Sequence, residues 1–251
     1  MKILLLDIET APHRVFTWGL WNQNIGLNQI AAPGYTLCWS AKWYGNPEVM
    51  YSSIYEDGKK KMLRTIYDLV EEADVVIHYN GTKFDIPTLN QEWLGMGWSP
   101  PAPFTEIDLY LTVKNRFRLP SNKLSYIAEY LRLGSKVNHK GMELWIECMN
   151  GEPDAWETME EYNKQDVALL ERLYDAVLPW IHNHPNHALY DDREMFLCPN
   201  CGSPHVQSRG SYYTKTMRYK RYRCNACGSW SKERTSFYTK EKKAVVLAGI
   251  K

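Results

Sequence analysis

Three short segments, far apart along the chain, place carboxylates where they can do chemistry. Asp7-Ile8-Glu9-Thr10 follows the apolar run Ile3 to Leu6. Side chains alternate along a strand, so residues 7 and 9 share a face and converge where the chain leaves a sheet. His78-Tyr79-Asn80-Gly81-Thr82-Lys83-Phe84-Asp85 carries a second apolar strand into a turn and sets Asp85 at the start of the next helix. Tyr162-Asn163-Lys164-Gln165-Asp166 is an i,i+4 pair on one helix face. Singly, each has a plainer account: a solvated acidic loop, a helix N-cap at Asp85, a core tyrosine with Asp166 at its rim. Gathered together, four carboxylates from three elements would repel one another without cations, and hard oxygen donors of this kind suit Mg²⁺ or Mn²⁺. A pair of such ions about 4 Å apart supports in-line displacement at a phosphodiester, preparing the attacking water and stabilising charge on the leaving oxygen.

In this order and between these elements, the three segments resemble the motifs of the DEDD superfamily, the proofreading-type 3′–5′ exonucleases with a ribonuclease H-like fold. Asp7-x-Glu9 matches the first motif, Asn80-x-x-x-Phe84-Asp85 the second and Tyr162-x-x-x-Asp166 the third. The histidine-type branch carries a His five residues before the last Asp, where this chain has Glu161; Tyr162, four residues before it, matches the tyrosine-type branch (DEDDy). The chain resembles the exonuclease domain of family B DNA polymerases and its free-standing relatives, over roughly residues 1–180.

The resemblance implies roles. Asp7, Glu9, Asp85 and Asp166 would hold two Mg²⁺ or Mn²⁺ ions. Tyr162 would orient the attacking water; with an unperturbed pKa near 10 it is a poor base at neutral pH, so hydrogen bonding is its expected task. Thr10 and Asn80 would contact the terminal nucleotide and Phe84 would line its pocket. The implied reaction releases nucleoside 5′-monophosphates from the 3′ end of single-stranded DNA, in replication or repair. No polymerase fits within 251 residues, so proofreading would need a partner polymerase or other replication protein. The alternatives are a 3′–5′ exoribonuclease and a non-catalytic nucleic-acid-binding adaptor of a replication complex; the presence of all five motif residues speaks against the second.

Other residues near these motifs have weaker claims. Asp108 ends another apolar run, where support of a metal ligand and simple helix capping are equally good readings. Lys136, His139 and Lys140 form a basic cluster that reads first as a solvated loop. Trp18, Trp21, Trp39 and Trp43 are expected mostly as core or strand-face aromatics, with one or two left to stack on bases.

A second constellation lies near the end of the chain. Cys198-x-x-Cys201 and Cys224-x-x-Cys227 are separated by 22 residues, close to four-cysteine zinc spacing, and both pairs continue into Gly-Ser. Four thiolates close a tetrahedral shell, which makes such a site structural. Gly202 and Gly228 fall where a tight knuckle needs positive φ. The segment resembles a zinc ribbon, two knuckles clamping a small antiparallel sheet. A redox dithiol would need only one C-x-x-C. From Cys198 onward there are 12 Lys and Arg against 2 Asp and Glu, a net of +10; the remaining 18 and 27 leave residues 1–197 at −9. Cations and tyrosines interleave toward Arg223, which points to nucleic acid, with phosphates neutralised and unpaired bases stacked; docking on a protein is the other reading.

These residues need elements to position them. Strands are expected at Tyr35 to Trp43, Glu48 to Tyr55 and Asp74 to Tyr79, and helices at Lys60 to Ala73, Phe84 to Gly95, Leu124 to Leu133 and Met159 to Val177. Strands followed by alternating helix and strand predict an α/β protein with helices on both sides of the sheet. Two domains and a linker follow: a ribonuclease H-like mixed sheet flanked by helices over 1–181, a polar linker over 182–197, and the basic ribbon over 198–251, too small to build a core without a metal. Composition excludes disorder, since 10 Trp and 17 Tyr supply ample burial. No apolar stretch reaches bilayer length, and Asp7 and Glu9 interrupt the one run that imitates a signal peptide. Paired C-x-x-C motifs without a secretory signal imply a reducing, cytoplasmic setting.

Overall fold

The computed structural model describes residues 1–134 and 140–250. Lys136 and His139 of the basic cluster lie outside the described residues; Lys140 lies within them and pairs with Glu147 at 3.0 Å. The chain divides into two compact units, residues 2–174 and residues 175–251 together with Met1.

The first unit is built on β1 (Ile3–Thr10), β2 (Arg14–Val15), β3 (Ile30–Ala32), β4 (Thr36–Trp43), β5 (Met50–Ser53), α1 (Ile54–Glu72), β6 (Val75–His78), α2 (Asp85–Gly95), β7 (Thr105–Asp108), α3 (Leu109–Arg116), α4 (Leu124–Tyr130), α5 (Met142–Met149) and α6 (Pro153–Val177). Five strands form one sheet in the order β5-β4-β1-β6-β7. β4 runs antiparallel to β1 and β5, whereas β1, β6 and β7 run parallel, so the sheet is mixed as expected.

The alternation of β1 decides what sits on each face. Leu4, Leu6 and Ile8 point into a core shared with Trp39, with Met62, Ile66 and Val70 of α1, and with Leu89 and Trp93 of α2. On the opposite face a second core gathers Leu37, Cys38, Leu144 and Cys148 of α5, and Trp156, Met159 and Tyr162 of α6. Asp7 and Glu9, being odd, belong to this second face. The strand is longer than the apolar run alone implied: pairing with β4 continues through Glu9↔Cys38, and the register slips between Glu9 and Thr10, where the chain leaves the sheet.

Several expected boundaries shift for local reasons. The first helix begins at Ile54, with Ser53 accepting the Glu56 N–H at 3.1 Å, and is interrupted by Gly58 (φ 72°) just before the expected start at Lys60. Two short helices escaped the pattern, α3 and α5, each 8 residues long. The tryptophans divide. Trp39 is buried, its indole donating to the Met62 carbonyl at 2.9 Å, and Trp43 is half-buried. Trp18 and Trp21 are 101% and 81% exposed in the excursion between β2 and β3, so the core expectation fails for both.

The second unit carries β8 (Val206–Tyr213), β9 (Arg218–Cys224) and β10 (Trp230–Ser236), an antiparallel sheet with β9 in the middle, followed by the five-residue α7 (Lys240–Ala244). The stretch expected as a linker holds a 3₁₀ turn over His187–Tyr190, and the His187 N–H donates to the Pro199 carbonyl at 2.8 Å. Among the described residues, no helix is long and apolar enough to cross a membrane.

Candidate active site and cysteine cluster

Asp7 and Glu9 stand at the C-terminal end of β1, which lies beside β6 in parallel. β6 ends at His78, and a turn then returns the chain to begin α2 at Asp85. That turn is tied locally. His78 is fully buried; its Nδ1 accepts the Gly81 N–H at 3.1 Å and its Nε2 lies 3.2 Å from Glu106 on β7. Nδ1 is thus the unprotonated nitrogen and Nε2 donates, which holds the Glu106 carboxyl below its ordinary range. Asn80 takes positive φ (66°) and donates its backbone N–H to Asp108 at 2.9 Å. Asp108 also accepts the Tyr110 N–H at 3.0 Å, so it caps α3 and anchors the turn, the capping reading of that residue.

Asp85 does not behave as a plain N-cap. It occupies the first helical position, and its Oδ1 accepts the backbone N–H of Ile8 at 3.2 Å, between Asp7 and Glu9. Only 4% exposed, its carboxyl is pushed up to about 6 by burial, against the lowering influence of His78 and the Ile8 amide.

α6 approaches from the other side. Asn163 Nδ2 donates to Asp7 Oδ2 at 2.7 Å, and Tyr162 and Asp166 flank it on the same helix. Asp166 is also 4% exposed. The Tyr162 phenol is pushed well above its ordinary range, first by burial and then by the charges of Asp166, Glu9 and Asp7. A single hydroxyl that feels three carboxylates records how the chain has gathered them. From α5, Trp145 Nε1 donates to Glu9 Oε2 at 3.2 Å, and its ring meets that of Tyr162 edge-on at 5.9 Å. Thr10 and Phe84 line one small pocket together with His13, Tyr35 and Thr88; Asn80 is half-buried in the turn after β6 and does not line it.

Sequence reasoning missed Trp145, Asn163 and the structural role of His78. Asn163 had a usable signal, three residues before Asp166 and so on the same helix face. Trp145 had none, because nothing local relates it to Glu9, 136 residues away.

The cysteines converge independently. Cys198 Sγ lies 3.6 Å from Cys227 Sγ, and Cys201 Sγ 3.6 Å from Cys224 Sγ. Among the described residues this is the one set of three or more His, Cys, Asp or Glu whose ligand atoms all lie within 4.8 Å. A tetrahedron with Zn–S bonds of about 2.3 Å has edges of about 3.8 Å, so these spacings fit a closed zinc site. The two knuckles repeat each other. Gly202 (φ 69°) and Gly228 (φ 83°) donate to the carbonyls of Cys198 and Cys224, whose own N–H groups donate to Ser203 and Ser229. Burial pushes the Cys198 thiol up to about 11. At Cys224, against the raising effect of burial, backbone N–H bonds from Cys227 and Ala226 bring the thiol down to about 7.

A mixed sheet of this order, with acidic side chains from β1, α2 and α6 near the C-terminal end of β1, is a ribonuclease H-like fold, here carrying a four-cysteine cluster that fits a zinc ribbon. The chain belongs to the RNase_H superfamily, whose family model matches residues 4–178. No curated protein matches the sequence. Among solved structures it is similar to the family B DNA polymerase of the hyperthermophilic archaeon Pyrobaculum calidifontis, with a TM-score of 0.56 and 19% identity over 71% of this chain and 24% of the polymerase. It is also similar to RNase D of Trypanosoma brucei, with a TM-score of 0.46 and 13% identity over 72% of this chain and 57% of that one. The chain thus spans about a quarter of the first and a little over half of the second. RNase H-like nucleases use divalent metals, and the oxygen-only donor set of Asp7, Glu9, Asp85 and Asp166 fits such ions.

Proposed function

We propose that the protein is a metal-dependent 3′–5′ exonuclease that hydrolyses single-stranded DNA to nucleoside 5′-monophosphates. The reading rests on one observation: Asp85 accepts the amide between Asp7 and Glu9 while Asn163, beside Tyr162 and Asp166, donates to Asp7. All three motif segments therefore meet at one end of β1. Asp7, Glu9, Asp85 and Asp166 would hold two Mg²⁺ or Mn²⁺ ions, which when bound supply an activated water and charge stabilisation at the leaving oxygen.

The protein's own groups do the rest. Asn163 and Trp145 hold the Asp7 and Glu9 carboxylates in orientation through their N–H groups, as supporting residues do for metal ligands. Tyr162, kept protonated by its surroundings, orients the attacking water by hydrogen bonding and does not remove its proton. Thr10, Phe84 and Asn80 position the terminal nucleotide, and the pocket shared by Thr10 and Phe84 is the place for it. The ribbon, folded around one zinc ion on Cys198, Cys201, Cys224 and Cys227, offsets the −9 body with its +10 charge and raises the local concentration of nucleic acid. RNA ends are the alternative substrate, and a DNA polymerase or other replication protein is the alternative partner of the ribbon.

Digestion of end-labelled single- and double-stranded DNA and RNA with Mg²⁺, Mn²⁺ or EDTA tests the reading. Nucleoside 5′-monophosphates released from the 3′ end of DNA, with no cleavage in EDTA, are expected. Cleavage of RNA alone moves the enzyme to the ribonuclease reading, and no metal-dependent cleavage of any substrate removes the proposal.

A further inference from the structure

We propose that one face of the ribbon sheet is a stacking platform for an unpaired strand, built from Tyr212, Tyr219 and Trp230 with Arg221, Arg223 and Lys232. The inference rests on reading the chain as an enzyme of nucleic acid, and it names the surface and the strandedness that surface selects. Residues directly opposite in an antiparallel ladder share a face. Tyr212 pairs with Tyr219, Arg223 with Trp230, and Lys232 with Arg221. Residues 219, 221 and 223 alternate along β9 onto that same face. The side chains confirm the placement. Lys232 Nζ sits 3.9 Å from the Tyr219 ring centre and 5.9 Å from that of Tyr212, and the Arg221 guanidinium lies 4.7 Å from the Trp230 ring centre.

The opposite face is used differently. Tyr222 is buried there against Phe196 at 5.2 Å, and its hydroxyl bonds Glu233. Among the described residues the platform face carries no carboxylate, since Glu233 lies opposite and Glu241 lies beyond the sheet in α7. Tyr212 and Trp230 remain 45% and 53% exposed. Cations set beside ring faces match a ligand that alternates planar groups with anionic groups, which is a nucleic-acid strand. An acidic peptide offers the charge without the planes. In a duplex the base faces are already stacked, leaving only phosphates within reach; an unpaired strand offers both. The face therefore selects single strands by stacking and holds them by charge.

The test uses the full-length, zinc-loaded chain carrying Asp166→Ala, without added Mg²⁺, so that the strand survives. Fluorescence anisotropy is read with labelled oligothymidylate about 16 nucleotides long, a blunt duplex of equal length and an acidic peptide. Tyr219→Leu with Trp230→Leu is expected to weaken binding of the unpaired strand about tenfold to a hundredfold, leaving duplex affinity and the salt slope as they were. Arg221→Gln with Lys232→Gln is expected to lower the slope of log affinity against log salt by about 0.7 per charge removed. Zinc content confirms that each variant folds. Tyr212→Leu, a single exchange on an outer strand, decides the matter if the double variant loses zinc, with a several-fold loss for the unpaired strand alone. Ring variants that bind the unpaired strand as their parent does, or that lose unpaired and duplex DNA equally, overturn the platform. So does a parent chain that binds the peptide and no oligonucleotide, the result for a protein-docking face. Because this binding requires no cleavage, a wild-type chain that cuts nothing refutes the nuclease reading while leaving the platform result standing, and the reverse holds.

Discussion

Asp85 begins α2, yet its carboxylate reaches to β1 and accepts the Ile8 amide at 3.2 Å. That bond joins two of the acidic segments, and the Asn163 amide on Asp7 brings in the third. Asp7→Ala or Asp166→Ala is expected to reduce cleavage by at least about a thousandfold while leaving strand binding largely intact; full activity in either variant removes the site. Tyr162 supplies a pH prediction. Burial and the charges of Asp166, Glu9 and Asp7 raise its phenol well above its ordinary value, which favours the protonated form. The group therefore stays neutral across the working range, and Tyr162→Phe is expected to lower kcat about a hundredfold without altering the alkaline side of the pH–rate profile below about pH 10. An alkaline limb present in the parent and absent from the phenylalanine variant would show that the phenol ionises during catalysis.

At the scale of elements, the turn after β6 and the ribbon knuckles carry the positioning. A Cβ on Gly81 would lie 2.3 Å from the Cγ of the His78 ring, which is fully buried and tied to Glu106. Gly81→Ala is thus expected to destabilise the protein by about 1–3 kcal/mol and to displace Asp85, read as a lower Tm with reduced activity. An unchanged Tm would mean that the turn relaxes freely. A zinc ion on the four cysteines, as proposed, would make the knuckles depend on metal. Removing zinc with a strong chelator is expected to abolish hydrogen-exchange protection in β8, β9 and β10 while β1, β4 and β6 keep theirs, since the four sulfurs, all within 4.8 Å of one another, would lose the ion that joins them. Protected ribbon amides after chelation would show a core sufficient without metal.

Charge and exposed aromatics belong to the scale of the whole molecule. The +10 of residues 198–251 against the −9 of residues 1–197 is expected to dominate the salt dependence of strand binding. Deleting residues 198–251 should flatten the slope of log affinity against log salt and raise KM before kcat on single-stranded DNA; an unchanged slope assigns the phosphate contacts to the catalytic unit. Trp18 and Trp21 alter the expected distribution of aromatic residues. They stand exposed in a segment held by its own polar bonds, such as Gln29 Oε1 accepting the Gly26 N–H at 2.7 Å, rather than by a core.

The sequence alone determined what depends on local order and composition: the class of fold, the three acidic motifs, the four cysteines with their glycine knuckles, and the charge division. Each is a matter of residue type at fixed spacing, and a strand's period or a C-x-x-C-Gly turn is set within a few residues. Even the assignment of Asp7 and Glu9 to one face followed from strand alternation. Tertiary structure decided how the motifs are held. Asp85 bonds across to β1 instead of capping its helix, Asn163 and Trp145 fix the carboxylates, and His78 supports the turn from within the core. It also decided which ribbon side chains share a face, because strand register depends on pairing across bulges in β8 and β10 that no local pattern announces. Contacts between residues more than a hundred positions apart arise only when the sheet and its helices pack. Alternation along one strand says which way a side chain points and nothing about what it meets.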